Sequence, residues 1–316
     1  MNLQLTTTET RIAGKTLILP AADVCGRTVI ITGKWLRMAT VKDEELVENE
    51  VVPDPVPFIE SLRGFGACAD ILSFPERPPC ASPKYPYYCE WDNRAAVRIS
   101  SFDDWWRKLP QETRKNVRRS GKRGVVVRVV DFDDALVEGI RQIYNGTPVR
   151  DGRPFWHYGK DSVTVKRENG TYLDRSDFIG AYIGDELVGF IKLTYVDRSA
   201  TIMQILGHVA HRDARPVNAL LARAVDLCCA KGLEYLIYGK FVYGRHTRSL
   251  LTEFKRRNGF EELRVRRYFV PLTNKGALAM KFGLHTGLRD RLPPALIDFL
   301  LKLRSRWYHL RAPSAG

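Results

Sequence analysis

Residues 177–209, DFIGAYIGDELVGFIKLTYVDRSATIMQILGHV, decide the fold. Apolar residues recur there in three short runs rich in β-branched and aromatic side chains. Gly184-Asp185 and Asp197-Arg198 punctuate the runs, as hairpin turns do. Three consecutive antiparallel strands follow. The next stretch, NALLARAVDLCCAKG, has helical periodicity and stops at Gly232. It is followed by YLIYGKFVYG as a strand, RSLLTEFKRRNGF as a helix ended by Gly259, and LRVRRYFVPL as a last strand. Strands in sequence, then helix, strand, helix and strand, describe an α+β layer with a mixed, mostly antiparallel sheet flanked by helices.

Working outward toward the amino terminus, VVVRVVDF reads as a strand. DDALVEGIRQIYNGT reads as a helix with Leu136, Ile140 and Ile143 on one face, and TPVRDGRPFWHYGKD as a loop. A helix signal opens at Ser101 with Asp103 and Asp104 in its first turn, breaks at Pro110, resumes at Gln111 and ends near Gly121 and Gly124. Its second half, RKNVRRSGKRG (114–124), has six cations and no anion. In residues 1–92, TLILP, TVIITG and WLRMATV read as strands, with a turn and short helix over VPDPVPFIESLRGFG. FPERPPCASPKYPYY, with five prolines, must be extended or turning. RAAVRIS alternates as a strand. The segment LPPALIDFLLKLRSRWYHLR (292–311) is a basic amphipathic helix. Its Leu296, Leu300 and Leu303 suit packing against the domain, and its cations suit an anionic membrane surface. These shifts divide the chain into a divergent N-terminal lobe (1–100), a main domain (101–275) and a basic C-terminal tail (276–316).

A chain of 316 residues with 44% hydrophobic and 27% charged residues has the composition of a globular protein with real cores. No leader pattern and no long uncharged apolar run appears, so the expected location is cytoplasmic, with the tail offering peripheral membrane contact. The cysteines, Cys25, Cys68, Cys80, Cys89, Cys228 and Cys229, lack metal-ligand spacing and read as free thiols, and no metal is expected. A net charge of +14 favours polyanionic partners such as RNA, lipid headgroups or phosphorylated substrates. Sequence-specific DNA reading is not expected without a helix-turn-helix or zinc signature. The absence of a serine nucleophile elbow, an HExxH and a P-loop excludes the hydrolase and kinase classes that use them.

The succession from 177 to 273 resembles the acyl-CoA N-acyltransferase (GNAT) superfamily. DELVGFIKL is similar to its G-x-x-x-G-F turn and TEFKRRNGFEEL to its closing helix and strand. RKNVRRSGKRGVVVRVV resembles a segment of the Fem-type aminoacyl transferases, two-lobed relatives in which a basic helix enters the second lobe. The resemblance implies tandem GNAT-like lobes, with an acyl-CoA or aminoacyl donor held by the strand MQILGHVA and the turn HRDARPVNALLA. Arg212, Arg215, Asn218 and Ala219 would be the donor-binding residues. Asn218 and Leu220 stand where the family pattern has small residues, Pro216 suits the Fem branch, and Phe254 replaces the tyrosine that protonates a leaving thiolate in many members.

Transfer to an amine needs a base, donors for the carbonyl oxygen and an acid for the leaving group. The polar-aromatic clusters FWHYGKD and IYGKFVYGRH supply His157 as base and Tyr243 as acid. Tyr158 and His246 are placed at the acceptor pocket, and Arg114 and Arg118 on a charged substrate. Glu168 and Asp177 are other carboxylates in reach of that role. A loop histidine beside a tryptophan equally suits packing, and Asp103, Asp104 and Glu112 could neutralise the basic helix. The sequence thus points to transfer of an acyl or aminoacyl group from acyl-CoA, another thioester or an aminoacyl ester. The acceptor is an amine on a nucleotide-linked or cell-envelope precursor, and tRNA is a candidate partner. The rival is an inert module of the same fold that binds RNA or an anionic membrane.

Overall fold

The computed structural model describes residues 5–12, 15–64, 68–78, 80–150, 152–243 and 249–286. The quoted stretch forms β10 (Ser176–Ile183), β11 (Glu186–Val196) and β12 (Ser199–Gly207), joined antiparallel at the expected turns. Gly184 and Asp197 there take φ of 58° and 49°. β7 (Val126–Val130) adds the outer edge beside β10. β11 is buried along both faces, and it gives Leu187 and Phe190 to one core and Val188, Ile191 and Leu193 to another. Helix α4 (Asp134–Asn145) covers the first side with Leu136, Val137, Ile140 and Ile143, joined by Val165 of α5 (Ser162–Asn169). Helix α6 (Pro216–Ala230) covers the second with Leu220, Leu221, Ala224 and Val225.

Packing of α6 depends on two glycines that face each other across strands β11 and β12, Gly189 and Gly207. A methyl group on Gly189 would stand 3.1 Å from a Leu220 methyl, and one on Gly207 would stand 3.0 Å from Val217. The helix therefore lies close on the sheet because those two positions are bare. Helices α2 (Phe102–Lys108) and α3 (Gln111–Lys122), separated at Pro110 as the sequence predicts, complete this layer through Trp105 and Leu109.

Among the described residues the sheet has twelve strands. After β12 come β13 (Tyr235–Ile237), β6 (Tyr88–Arg98), β14 (Glu261–Pro271) and β5 (Ile71–Pro75), and then β4 (Met38–Val41), β3 (Arg27–Thr32), β2 (Lys15–Val24) and β1 (Thr6–Ile12). The last strand of the chain thus lies among strands from the first hundred residues. A separate core of Val29, Val41, Phe58, Ile59, Leu62, Phe74 and Tyr268 fills that side, with Phe58, Ile59 and Leu62 from α1 (Pro55–Gly64). The sequence reading missed β1, whose threonine-rich alternation is polar, and β5, a short run buried at every position. It also overextended β13. The strand stops at Ile237 because Gly239 takes a φ of 55°. The stretch read as loop holds a two-residue hairpin, β8 (Val149–Arg150) with β9 (Arg153–Pro154). Helices α7 (Leu250–Arg257) and α8 (Asn274–Lys281) close the described chain, and the amphipathic 292–311 segment lies outside it.

Gly139 sits inside α4, where glycine ordinarily costs about 1 kcal/mol relative to alanine. A methyl group there would stand 2.9 Å from Leu187 Cβ, so this glycine is what lets α4 reach β11. Gly139→Ala is expected to lower stability by a net ~1–2 kcal/mol despite its helix propensity, read as a drop in the midpoint of denaturant unfolding.

Candidate active site

Strands β12 and β13 are parallel partners for only three residue pairs, Ser199 with Tyr235, Ala200 with Leu236 and Thr201 with Ile237. Beyond them the chain stays with β6. Tyr238 N–H donates to the Ala95 carbonyl at 2.8 Å, and Ala95 N–H donates to Gly239 at 2.8 Å. Strand β12 instead continues along β11 to Gly207. The two edges part, and a V-shaped mouth opens between residues 202–207 and 238–243.

Arg150 marks one end of this mouth, its Nη1 3.3 Å from the Gly207 carbonyl. Tyr238 comes next, its phenol pushed up to about 12, chiefly by burial. Lys255 of α7 is fully buried. Its Nζ donates to the Lys240 carbonyl at 2.6 Å and lies 4.5 Å and 5.0 Å from the ring centroids of Tyr238 and Tyr243. Burial lowers its pKa to about 8, against a weaker opposing pull from Glu45. Tyr243, 48% exposed, has its hydroxyl against Gly239, where a methyl group would stand 2.7 Å away. Burial of its ring raises its pKa, so the phenol keeps its proton at neutral pH.

The far end of the mouth is a network of charges contributed by both parts of the chain. Asp92 accepts from Lys240 Nζ at 2.9 Å and from Arg267 Nε at 3.1 Å. Arg267 also pairs with Glu44, and Arg94 pairs with Glu45. Burial alone would raise the Asp92 pKa, but the Lys240 and Arg267 cations outweigh it and hold it at about 2. Lys192 is a useful contrast to Lys255. It is equally buried and also lowered to about 8 by burial, yet its ammonium is held by Asn169 and Thr171 carbonyls and the Thr171 hydroxyl. Lys192 is a clamp under the sheet. Lys255 has one carbonyl and two aromatic faces as its partners among the described residues.

The residues named from the sequence fall into different places. His157 is 2% exposed, its ring between Tyr144 and Trp156 at centroid distances of 3.9 Å and 3.7 Å. Tyr144 donates to Gln204 Oε1 at 2.7 Å, and the Gln204 amide nitrogen meets His157 Nε2 at 2.9 Å. His157 is thus enclosed against β12, its ring covered and its Nε2 engaged by Gln204. Glu168 is bound to Lys160 at 2.7 Å and Asp177 to the Tyr195 hydroxyl at 2.7 Å. Tyr158 is half exposed in the loop beyond. His246 lies outside the described residues.

Arg215 caps α6 with φ 56°, and its buried Nε has no hydrogen-bond partner among the described residues. Asn218 is turned to α7, donating to Asn258 Oδ1 at 3.1 Å, while Ala219 is half-buried and Arg212 exposed. Arg114 and Arg118 stand on α3, which packs on the body through Thr113 and Ser120. Arg118 lies over the Trp106 ring at 5.6 Å, and Asp104, one of the acids expected to offset the helix, is taken by Arg107 and Ser100. A separate cavity of about 350 Å³ between the N-terminal strands and the turn at 173–175 is lined by groups that pair across it, as Tyr172 with Asp43 at 2.6 Å. Lys255 escaped the sequence reading because in TEFKRRNGF it resembles any cation on a solvated helix face.

No protein-family model and no curated protein matches the sequence. Solved structures do. The crystal structure of FemX superposes with a TM-score of 0.55 at 10% identity, covering 88% of this chain and 90% of that one. The chain has a GNAT-like, Fem-type fold. The C-terminal domain of a putative lysylphosphatidylglycerol synthetase from Agrobacterium fabrum matches at 0.51 and 15% identity over 87% of each chain. L-PGS from Bacillus licheniformis matches at 0.51 and 11% identity over 83% of each.

Lys255 gives a pH test of the mouth. A lysine held near 8 when folded and near 10.5 when unfolded costs stability below pH 8, and that cost is relieved as pH rises from 8 to 10.5. Wild type should therefore gain up to about 3 kcal/mol relative to Lys255→Met across that interval, by the conversion of about 1.4 kcal/mol per pH unit. Paired unfolding curves from pH 7 to 10.5 measure the difference, and Lys192 cancels because both proteins keep it.

Proposed function

We propose that the protein is an acyl-group transferase whose donor is an aminoacyl ester of tRNA, and that its acceptor is an amine. The observation that carries this reading is Lys255, a buried ammonium at the apex of the mouth with protonated Tyr243 beside it. An amine nitrogen attacks the ester carbonyl carbon, and the oxygen takes up negative charge. Lys255 is suited to stabilise that oxyanion, because a fixed cation in a water-poor site needs no reorganisation during the reaction. Collapse of the intermediate breaks the bond to the ribose oxygen, which takes a proton from Tyr243, while the attacking nitrogen releases its proton to solvent, from which Tyr243 is reprotonated. No covalent enzyme intermediate is required.

Two features favour an aminoacyl ester over acyl-CoA. Pro216 and the Asn218–Asn258 bond occupy the start of α6, where a coenzyme pyrophosphate would need open amides. The second is the cationic face of α3, which suits a long polyanion better than one diphosphate. The printed name of one structural neighbour, a putative lysylphosphatidylglycerol synthetase, adds lysine as a group to test and phosphatidylglycerol as an acceptor outside the amine class. A cell-envelope amine and a phosphatidylglycerol vesicle are therefore the acceptors to compare first.

Purified protein incubated with radiolabelled lysyl-tRNA or alanyl-tRNA and each acceptor should move label from RNA to acceptor. Lys255→Met and Tyr243→Phe should each lower kcat by about 10²–10³ with tRNA affinity unchanged. Turnover with acetyl-CoA and none with aminoacyl-tRNA would overturn the donor assignment. Unimpaired turnover in both variants would overturn the site.

The α3 face has its own readout. Changing Arg114, Arg118 and Arg119 to Gln should weaken tRNA binding and make the slope of log affinity against log salt shallower by about 2–3 units. Filter binding between 50 and 200 mM salt measures it, and an unchanged slope would place the RNA elsewhere.

A further inference from the structure

The hairpin that starts β11 and the turn that ends β12 bring together three side chains the transfer reaction does not use. Glu186, His208 and His211 place one donor atom each within 4.8 Å of one another. His211 Nε2 lies 3.0 Å from Glu186 Oε1, a little inside the spacing of about 3.4 Å that two ligands adopt on a tetrahedral ion with bonds of about 2.1 Å. The imidazoles of His208 and His211 have ring centroids 5.6 Å apart, His208 capping the turn Val209–Ala214 and His211 standing at the kink within it, with φ −104° and ψ 21°. Every ligand pair on such an ion stands about 3.4 Å apart, so a pair at the 4.8 Å limit closes by about 1.4 Å through side-chain rotation.

We propose that Glu186, His208 and His211 form a binding site for one divalent transition-metal ion, Zn²⁺ being the best chemical match. Two imidazoles and a carboxylate are borderline ligands that suit zinc over magnesium or calcium, which take oxygen sets. Water completes the shell, since the Glu186 side chain is 49% exposed. The site was invisible as a motif because its donors come from a strand start and a turn 22 residues later, with only H-x-x-H adjacent in sequence. His208 is fixed by its neighbours: a methyl group on Gly146 would stand 2.9 Å from its Nε2, and its Nδ1 accepts from the Ala210 amide at 3.2 Å. Ligation through Nδ1 replaces that bond, and ligation through Nε2 leaves it in place. An ion here ties the start of β11 to the turn that leads into α6, so it sets the position of the α6 end of the mouth. Its role is to position, and it touches no reacting atom.

The test uses untagged, chelator-treated full-length protein. Calorimetric titration with ZnCl₂ should give one equivalent per chain, and Tm should rise by several degrees at saturating metal. Co²⁺ in place of zinc should give d–d bands without a thiolate charge-transfer band, which separates this site from the cysteines. Glu186→Gln, His208→Gln and His211→Asn should each weaken binding at least 10-fold and remove the Tm rise, while the metal-free Tm of His211→Asn and Glu186→Gln, both on exposed or half-exposed positions, stays near wild type. No binding, binding unaltered in the variants, or a thiolate band would overturn the proposal.

Discussion

Three parallel residue pairs between β12 and β13 hold the molecule together as one sheet. In the order of strands, β13 is the single link between the block β7-β10-β11-β12 and the block from β6 to β1. Both blocks have cores of their own, one under α6 and one around Phe58, Phe74 and Tyr268. The brevity of the seam has two results. It joins the blocks, and by ending at Ile237 it leaves the edges of β12 and of residues 238–243 apart. Past Ile237 the chain keeps bonding to Ala95 of β6, through Tyr238 and Gly239, while β12 keeps its pairing with β11.

Charges at the join follow the same physical rule in two ways. Burying an ion costs several kcal/mol unless partners repay it. Asp92, Arg267, Lys240, Glu44, Arg94 and Glu45 repay one another, and they fasten residues from the first hundred to the last strand. Lys255 is repaid only in part, by one carbonyl and two rings. Such incomplete compensation is characteristic of groups held ready for a charge that arrives with a ligand.

The sequence made the C-terminal order legible because its signals are local. Turns at 184–185 and 197–198, the Pro110 break and the terminal glycines of α6 and α7 each act within a few residues. The same holds for the glycine pair under α6, whose first member falls in the quoted DELVGFIKL motif. Long-range geometry was not legible. Nothing in YLIYGKFVYG shows that its second half follows β6 instead of β12, and nothing in VRRYFVPL shows that β14 pairs with strands from residues 71–98. The histidine with the most suggestive surroundings, His157, is enclosed because its aromatic neighbours pack on it. A lysine in an unremarkable basic run is the group buried beside Tyr238 and Tyr243.

The amide pair between Asn218 and Asn258 joins the first turn of α6 to the end of α7. A neutral hydrogen bond of this kind contributes about 1 kcal/mol net. It is a latch of low strength across the two helices that flank the V, so the latch itself resists widening by little more than thermal energy. Lys255 stands on α7 within a turn of Asn258, so any movement that parts these two helices carries Lys255 with it.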